Sequence, residues 1–232
     1  MYINTRNLKN NHAKFVIKKL KVGEELPFID VLSEKMIEKH SKNISYRKRI
    51  FSPLITIFTF LSQVMSSDQS CQGALCKVIA FFAAQKMMVP SANTAAYCKA
   101  RARLPEEMIV GLTKECGQQL EADASEKILW RKRHVKLVDG STISMPDTQA
   151  NQNVYKQPSS QKEGIGFPIA RVVAVISLAV GAIIDFAICS YAGKGTSEPA
   201  LMRQLLHNFN YGDVMLGDNY YGSFFFDSRA CE

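Results

Sequence analysis

"VKLVDGSTISMPDT", residues 135–148, is the stretch on which the reading of this chain turns. Val135, Leu137 and Ile143 alternate with polar residues, a period of two that predicts a β-strand beginning at 135. Asp139 closes the clear part of that alternation, and Gly140, Ser141 and Thr142 follow it. The strand is therefore expected to end at Asp139. An aspartate followed by glycine at a strand end is a common turn device. It is also where α/β sheets place the groups that handle ligands.

Residues 147–168 are polar and close with glycine and proline, which predicts a long loop with Asp147 in a turn or cap. "VVAVISLAVGAIIDFAI", 172–188, is rich in β-branched residues and reads as two strands turning near Gly181. It is short for a membrane span, flanked by Arg171, broken by Gly181 and charged at Asp185, so no membrane segment is expected. "PLITIFTFLSQVM", 53–65, is too short to cross a bilayer. "GKGTSEPALMRQLLHNF", 193–209, predicts a helix with a Thr or Ser cap and an acidic first turn. Lys194 between two glycines matches no P-loop pattern and reads as part of the strand-to-helix turn. "GDVMLGDNYYGSFFF", 212–226, returns to a strand ending at Asp218.

Strand, long loop, strand, strand, helix, strand is an order similar to the start of a ribonuclease-H-like mixed sheet, whose first and fourth strands are neighbours. If strands 135–139 and 213–218 pair in parallel through the intervening helix, Asp139 and Asp218 finish at the same sheet edge. Either aspartate alone admits the turn reading; two at matching places favour a shared site. Converging carboxylates repel, and a divalent cation relieves the repulsion. Hard oxygen donors suit Mg²⁺ or Mn²⁺, the ions of phosphoryl-transfer chemistry.

Residues 1–130 read as helices. Phe28, Val31, Leu32 and Met36 fall at helical spacing, Ser52 and Pro53 open an apolar helix, and Asp68 is the expected N-cap of the next. Two further helices, 91–104 and 105–124, are separated by Pro105. The predicted architecture is α/β: a helical N-terminal domain, 1–130, followed by an incomplete ribonuclease-H-like mixed sheet, 131–232.

Charge follows the same division. Residues 1–52 carry 12 Lys and Arg against 5 Asp and Glu, residues 53–138 carry 11 against 7, and residues 139–232 carry 6 against 9. A basic front and an acidic back suit a polyanion held by one and carboxylate chemistry in the other. The expected DNA contacts are Lys99, Arg101 and Arg103 beside Tyr97, whose ring could stack on a base or sugar; Arg47, Lys48 and Arg49; and Arg131 and Arg133. A solvated basic helix face explains the same residues without DNA.

With 47% hydrophobic and 22% charged residues, the 232-residue chain can bury a core, which excludes general disorder. Its 6 cysteines show no zinc spacing and read as reduced thiols, and His12, His40, His134 and His207 show no ligand spacing. "GIGFPIA" precedes a strand rather than a helix, against a dinucleotide fingerprint.

Several blocks in order, "AYCKARARLP", "VKLVDGSTISMPDT", "QPSSQKEGIGFPIAR", "GKGTSE" and "GDNYYGSFF", make the chain from about residue 46 onward resemble the DDE transposases of bacterial insertion sequences, in the group named after insertion sequence four. The resemblance implies that Asp139 and Asp218 are the first two metal-binding carboxylates, with Mg²⁺ or Mn²⁺ as cofactor. It also implies that the helical front binds the terminal inverted repeats of double-stranded DNA, in a cytoplasmic, nucleoid-associated protein. Asn219 departs from the Arg usual in that group. The family's third carboxylate, a Glu in a Tyr-Arg-Glu type motif, has no counterpart here; Glu232 is not assigned that role. A truncated, catalytically incomplete copy is therefore expected, with a non-catalytic DNA-binding fragment as the alternative. Truncation would leave strand 213–218 and "SFFF" as an unpaired apolar edge, predicting self-association.

Overall fold

The computed structural model describes residues 31–41, 49–84, 86–162, 165–219 and 221. Among them the chain is an α/β protein with seven α-helices and a four-stranded mixed open sheet. Its contacts divide it into two compact units, 1–112 and 113–232.

The first unit is helical. α1 (Glu34–Ser41) opens with the Ser33 hydroxyl accepting from the Met36 N–H and buries Met36 and Ile37. α2 (Pro53–Val64) begins as its sequence dictates: Ser52 accepts from the Ile55 N–H, and Pro53, lacking an N–H, sits in the first turn. α3 (Cys71–Ala84) is capped by Ser70, whose hydroxyl accepts from the Gly73 N–H at 2.8 Å. Asp68 is thus not the N-cap; its carboxylate accepts from the Ser70 hydroxyl at 2.5 Å and orients the cap. α4 (Ala95–Arg101) closes the core through Tyr97, which is fully buried with Phe51, Leu75 and Ala100. α5 (Glu106–Ala122) crosses into the second unit.

In the second unit the strands are β1 (Val135–Ser144), β2 (Ile169–Ser177), β3 (Ala182–Ser190) and β4 (Val214–Leu216), in spatial order β3-β2-β1-β4. β2 and β3 form an antiparallel hairpin closed at Gly181, whose φ of +66° suits glycine. The run 172–188 is therefore a hairpin. No helix among the described residues is long and apolar enough to cross a membrane. β1 pairs antiparallel with β2 and parallel with β4.

Three details differ from expectation. β1 runs on through Gly140, Ser141 and Thr142 to Ser144, because the nine residues of β2 pair with it from Lys136 to Ser144. Asp139 is thus mid-strand, and the turn reading of Asp-Gly does not apply. β4 stops at Leu216, two residues before Asp218. The loop after β1 contains a short helix, α6 (Gln149–Val154), capped by Thr148.

α7 (Glu198–Leu205) covers one face of the sheet. Leu201, Met202 and Leu205 pack with Val138, Val173, Val175 and Ile184, and Tyr221 joins the same cluster. Its start is fixed by the Ser197 cap and by Arg171 of β2, whose guanidinium donates to the Thr196 carbonyl. α5 approaches β3 so closely that a Cβ on Gly117 would lie 2.0 Å from the Ile183 carbonyl oxygen.

Candidate functional site

The parallel register builds the site. Val135, Lys136 and Leu137 lie opposite Val214, Met215 and Leu216. Asp218 lies two residues past Leu216, the same step that separates Asp139 from Leu137 along β1, but the pairing itself ends at Leu137 and Leu216. Both aspartates are exposed. β2 continues beside Asp139 on one side while β4 has ended on the other, so among the described residues Asp139 borders a notch in the sheet.

Two residues that periodicity and motif reading missed lie beside this pair. Glu198, in the first turn of α7, holds its carboxylate over Gly140; a Cβ on Gly140 would meet Glu198 Cδ at 2.4 Å. The Tyr221 hydroxyl donates to Glu198 Oε2 at 3.3 Å, and its ring lies against Gly217, where a Cβ would be 3.1 Å from Cδ2. The Tyr221 N–H donates to the Asp218 carbonyl at 3.2 Å. Burial, then Glu198, Asp218 and Asp139 in turn, pushes the Tyr221 hydroxyl well above the usual phenol range, so it remains a donor. The available signals are their places in the blocks "GKGTSE" and "GDNYYGSFF", where Glu198 reads as an acidic first turn and Tyr221 lies past the expected strand end.

Two carboxylates at adjacent strands are a donor set that fits Mg²⁺ or Mn²⁺, which keep several waters and use one or two protein carboxylates with substrate phosphates. Asp139 and Asp218 are the residues that would hold such an ion. Among the described residues, no group of three His, Cys, Asp or Glu is arranged to hold a metal ion.

The basic residues separate. Arg47 and Lys48 lie outside the described residues; Arg49, Lys99 and Arg103 are exposed. Arg101 turns inward, donating to Gln63 Oε1 at 3.0 Å and stacking 5.0 Å over Phe60. Tyr97 donates to the same oxygen at 2.8 Å, and burial pushes its hydroxyl up to about 12. Its ring is part of the core and is not presented to a base, contrary to expectation. Arg131, Lys132 and Arg133 are exposed on a turn bridged from Trp130 to Arg133. Arg131 and Lys132 have φ of 49° and 61°, left-handed values uncommon for such side chains, and Arg131 stacks 5.0 Å from the half-exposed Trp130. Lys194 is exposed in the turn before α7, and Asp147 accepts from the Gln152 amide at 2.8 Å beside the α6 cap.

A second polar centre lies within the fold. Asp185 is fully buried at a β-bulge where Ile176 pairs with Ile183 and Val175 with Asp185. Its carboxylate accepts from Lys114 Nζ at 2.8 Å, Asn208 Nδ2 at 3.0 Å and the Phe186 N–H at 2.7 Å, with His207 Nε2 at 3.2 Å. Burial alone pushes this carboxyl up; the hydrogen bonds outweigh it and hold it below its usual range. Of the remaining histidines, His134 pairs with buried Glu121 at 2.8 Å, His40 lies over Gly111, and His12 is outside the described residues.

No family model, no curated protein and no solved structure matches this chain. Fold and site together define an α/β protein whose open mixed sheet sets two exposed carboxylates beside the junction of a parallel and an antiparallel strand pair.

Proposed function

We propose that this chain carries the first two metal-binding carboxylates of a DDE-type transposase and serves Mg²⁺- or Mn²⁺-dependent cleavage and transfer of DNA strands at insertion-element ends. The observation that supports it is the parallel β1–β4 pairing, with Asp139 in β1 and Asp218 two residues past the end of β4, in a mixed sheet of order β3-β2-β1-β4. A bound divalent ion supplies Lewis-acid charge to a phosphate oxygen and lowers the pKa of an attacking water or 3′-hydroxyl. Asp139 and Asp218 hold that charge at the notch. Asn219 offers a neutral amide next to Asp218 where the family uses a cation, so less positive charge reaches the DNA backbone there.

The same residues support a second reading, a DNA-binding module that recognises element ends without cutting. The exposed turn of Trp130, Arg131, Lys132 and Arg133 favours it, because it offers cations and a ring to a phosphate backbone without needing the carboxylates. Titration calorimetry of the whole chain with Mn²⁺, beside a nicking assay on duplex DNA bearing the element ends, separates the two. Mn²⁺ uptake weakened at least about tenfold, roughly 1.4 kcal/mol, by Asp139→Asn and by Asp218→Asn is the expected result. Uptake untouched by both substitutions, with a salt-dependent footprint and no nicking, leaves the binding module alone standing.

A further inference from the structure

Glu198 and Tyr221 form a clamp between the residues that flank the two aspartates. Gly140 follows Asp139, and the Glu198 carboxylate occupies the space a Gly140 side chain would need. Gly217 precedes Asp218, and the Tyr221 ring packs against it closely, a Cβ there lying 3.1 Å from Cδ2. The Tyr221 hydroxyl joins the two halves through Glu198 Oε2, while its N–H fixes the Asp218 carbonyl. Contacts thus run from Gly140 through Glu198 and Tyr221 to Gly217, connecting two stretches of chain far apart in sequence. β4 ends at Leu216, two residues before Asp218.

We propose that Glu198 is a positioning residue, which acts through the Tyr221 hydroxyl to set the Asp139–Asp218 spacing that a divalent cation requires. The inference rests on the metal reading of that pair. Glu198 does not close with the two aspartates into a three-carboxylate group, which is why it is assigned to the clamp and not to the ion. Residues that orient metal ligands without touching the metal carry about a ten- to hundredfold effect on affinity. A glutamine retains an acceptor oxygen for the phenol, whereas alanine retains none.

The test is Mn²⁺ calorimetry on the full chain for wild type, Glu198→Ala, Glu198→Gln, Tyr221→Phe and the Glu198→Ala/Tyr221→Phe double variant, with thermal unfolding of each. The expected result is a loss of about tenfold or more in Mn²⁺ affinity for Glu198→Ala and for Tyr221→Phe. The double variant falls no further than either single, and Glu198→Gln stays near wild type. Glu198→Gln losing as much as Glu198→Ala while Tyr221→Phe binds normally overturns the proposal, since the charge would then act on the ion directly. Folded variants that all bind Mn²⁺ like wild type overturn it too, leaving the metal reading intact. Wild-type protein that takes up no Mn²⁺ overturns the metal reading and the clamp with it.

Discussion

Gly117→Ala is a substitution for which helix propensity and tertiary packing predict opposite signs. Gly117 lies in the interior of α5, where replacing glycine by alanine favours the helix by about 1 kcal/mol. The structure opposes this. An added Cβ would stand 2.0 Å from the Ile183 carbonyl oxygen, 2.9 Å from its carbon and 2.9 Å from the Ile184 Cα. These are backbone atoms of a paired strand, so no side-chain rotation relieves the overlap. Restoring an ordinary contact of about 3.4 Å requires α5 and β3 to separate by about 1.4 Å at that point, and a gap of even about 1 Å already forfeits up to half of the dispersion attraction between the surfaces that part. It also stretches the Lys114–Asp185 pair one turn earlier on α5, now 2.8 Å. Overpacking of this kind costs up to about 3 kcal/mol. Set against the propensity gain, the net is a destabilisation of about 2 kcal/mol, or a Tm lowered by roughly 8 °C in a unit of this size. Urea unfolding monitored by circular dichroism reads it directly. A variant more stable than wild type would show that α5 does not rest on β3 and would refute the packing argument.

Asp185→Asn keeps the shape of the buried acceptor but removes its charge, leaving Lys114 and His207 opposite a neutral amide. A loss of about 3 kcal/mol at pH 7 is expected, the lower end of the range for a broken buried pair because Lys114 is partly exposed. The folded carboxyl is held below its usual range, so its contribution is complete above about pH 3.9 and disappears as pH falls through the folded value. The stability gap between wild type and variant should therefore close in acid; a gap constant down to pH 2 would contradict the assignment. The basic residues should divide by role. Arg101→Ala should lower the stability of the helical unit by about 1–2 kcal/mol without changing the salt dependence of DNA binding. Arg131→Ala with Arg133→Ala should leave stability within about 0.5 kcal/mol and reduce the slope of log K against log salt by about 2, read by fluorescence anisotropy on duplex DNA. The reverse pattern would move the DNA contact to α4.

The parallel pairing of β1 with β4 is legible in the sequence because strand order constrains it: a helix between β3 and β4 permits a parallel return beside β1. Strand ends were less legible. Gly140-Ser-Thr carries the local chemistry of a turn, yet β2 supplies paired hydrogen bonds out to Ser144, and that non-local partner outweighs the local preference. Arg101 illustrates the same limit, since its spacing suits a basic helix face while Gln63 and Phe60, remote in sequence, draw the side chain inward. Asp185 was noticed as a charge within an apolar run, but its three donors come from α5, from residue 208 and from its own strand. No window of sequence contains them together.

Glu198 and Tyr221 show why a site can exceed its motif. Each has a sufficient local explanation, an acidic helix start and an aromatic near a strand, and the two meet only because α7 crosses the sheet. The helix that buries Leu201, Met202 and Leu205 against β2 and β3 must begin near the notch, since Arg171 and the Ser197 cap fix its first turn there. The packing that stabilises the sheet thus delivers a carboxylate over Gly140, and glycine at 140 is what leaves room for it. Weakening α7 packing, as in Met202→Ala with its expected cost of about 2–5 kcal/mol, should consequently loosen the notch before the sheet unfolds. Hydrogen exchange at residues 217–221 should rise ahead of exchange in β2, and equal protection of both segments in that variant would separate the clamp from the helix that carries it.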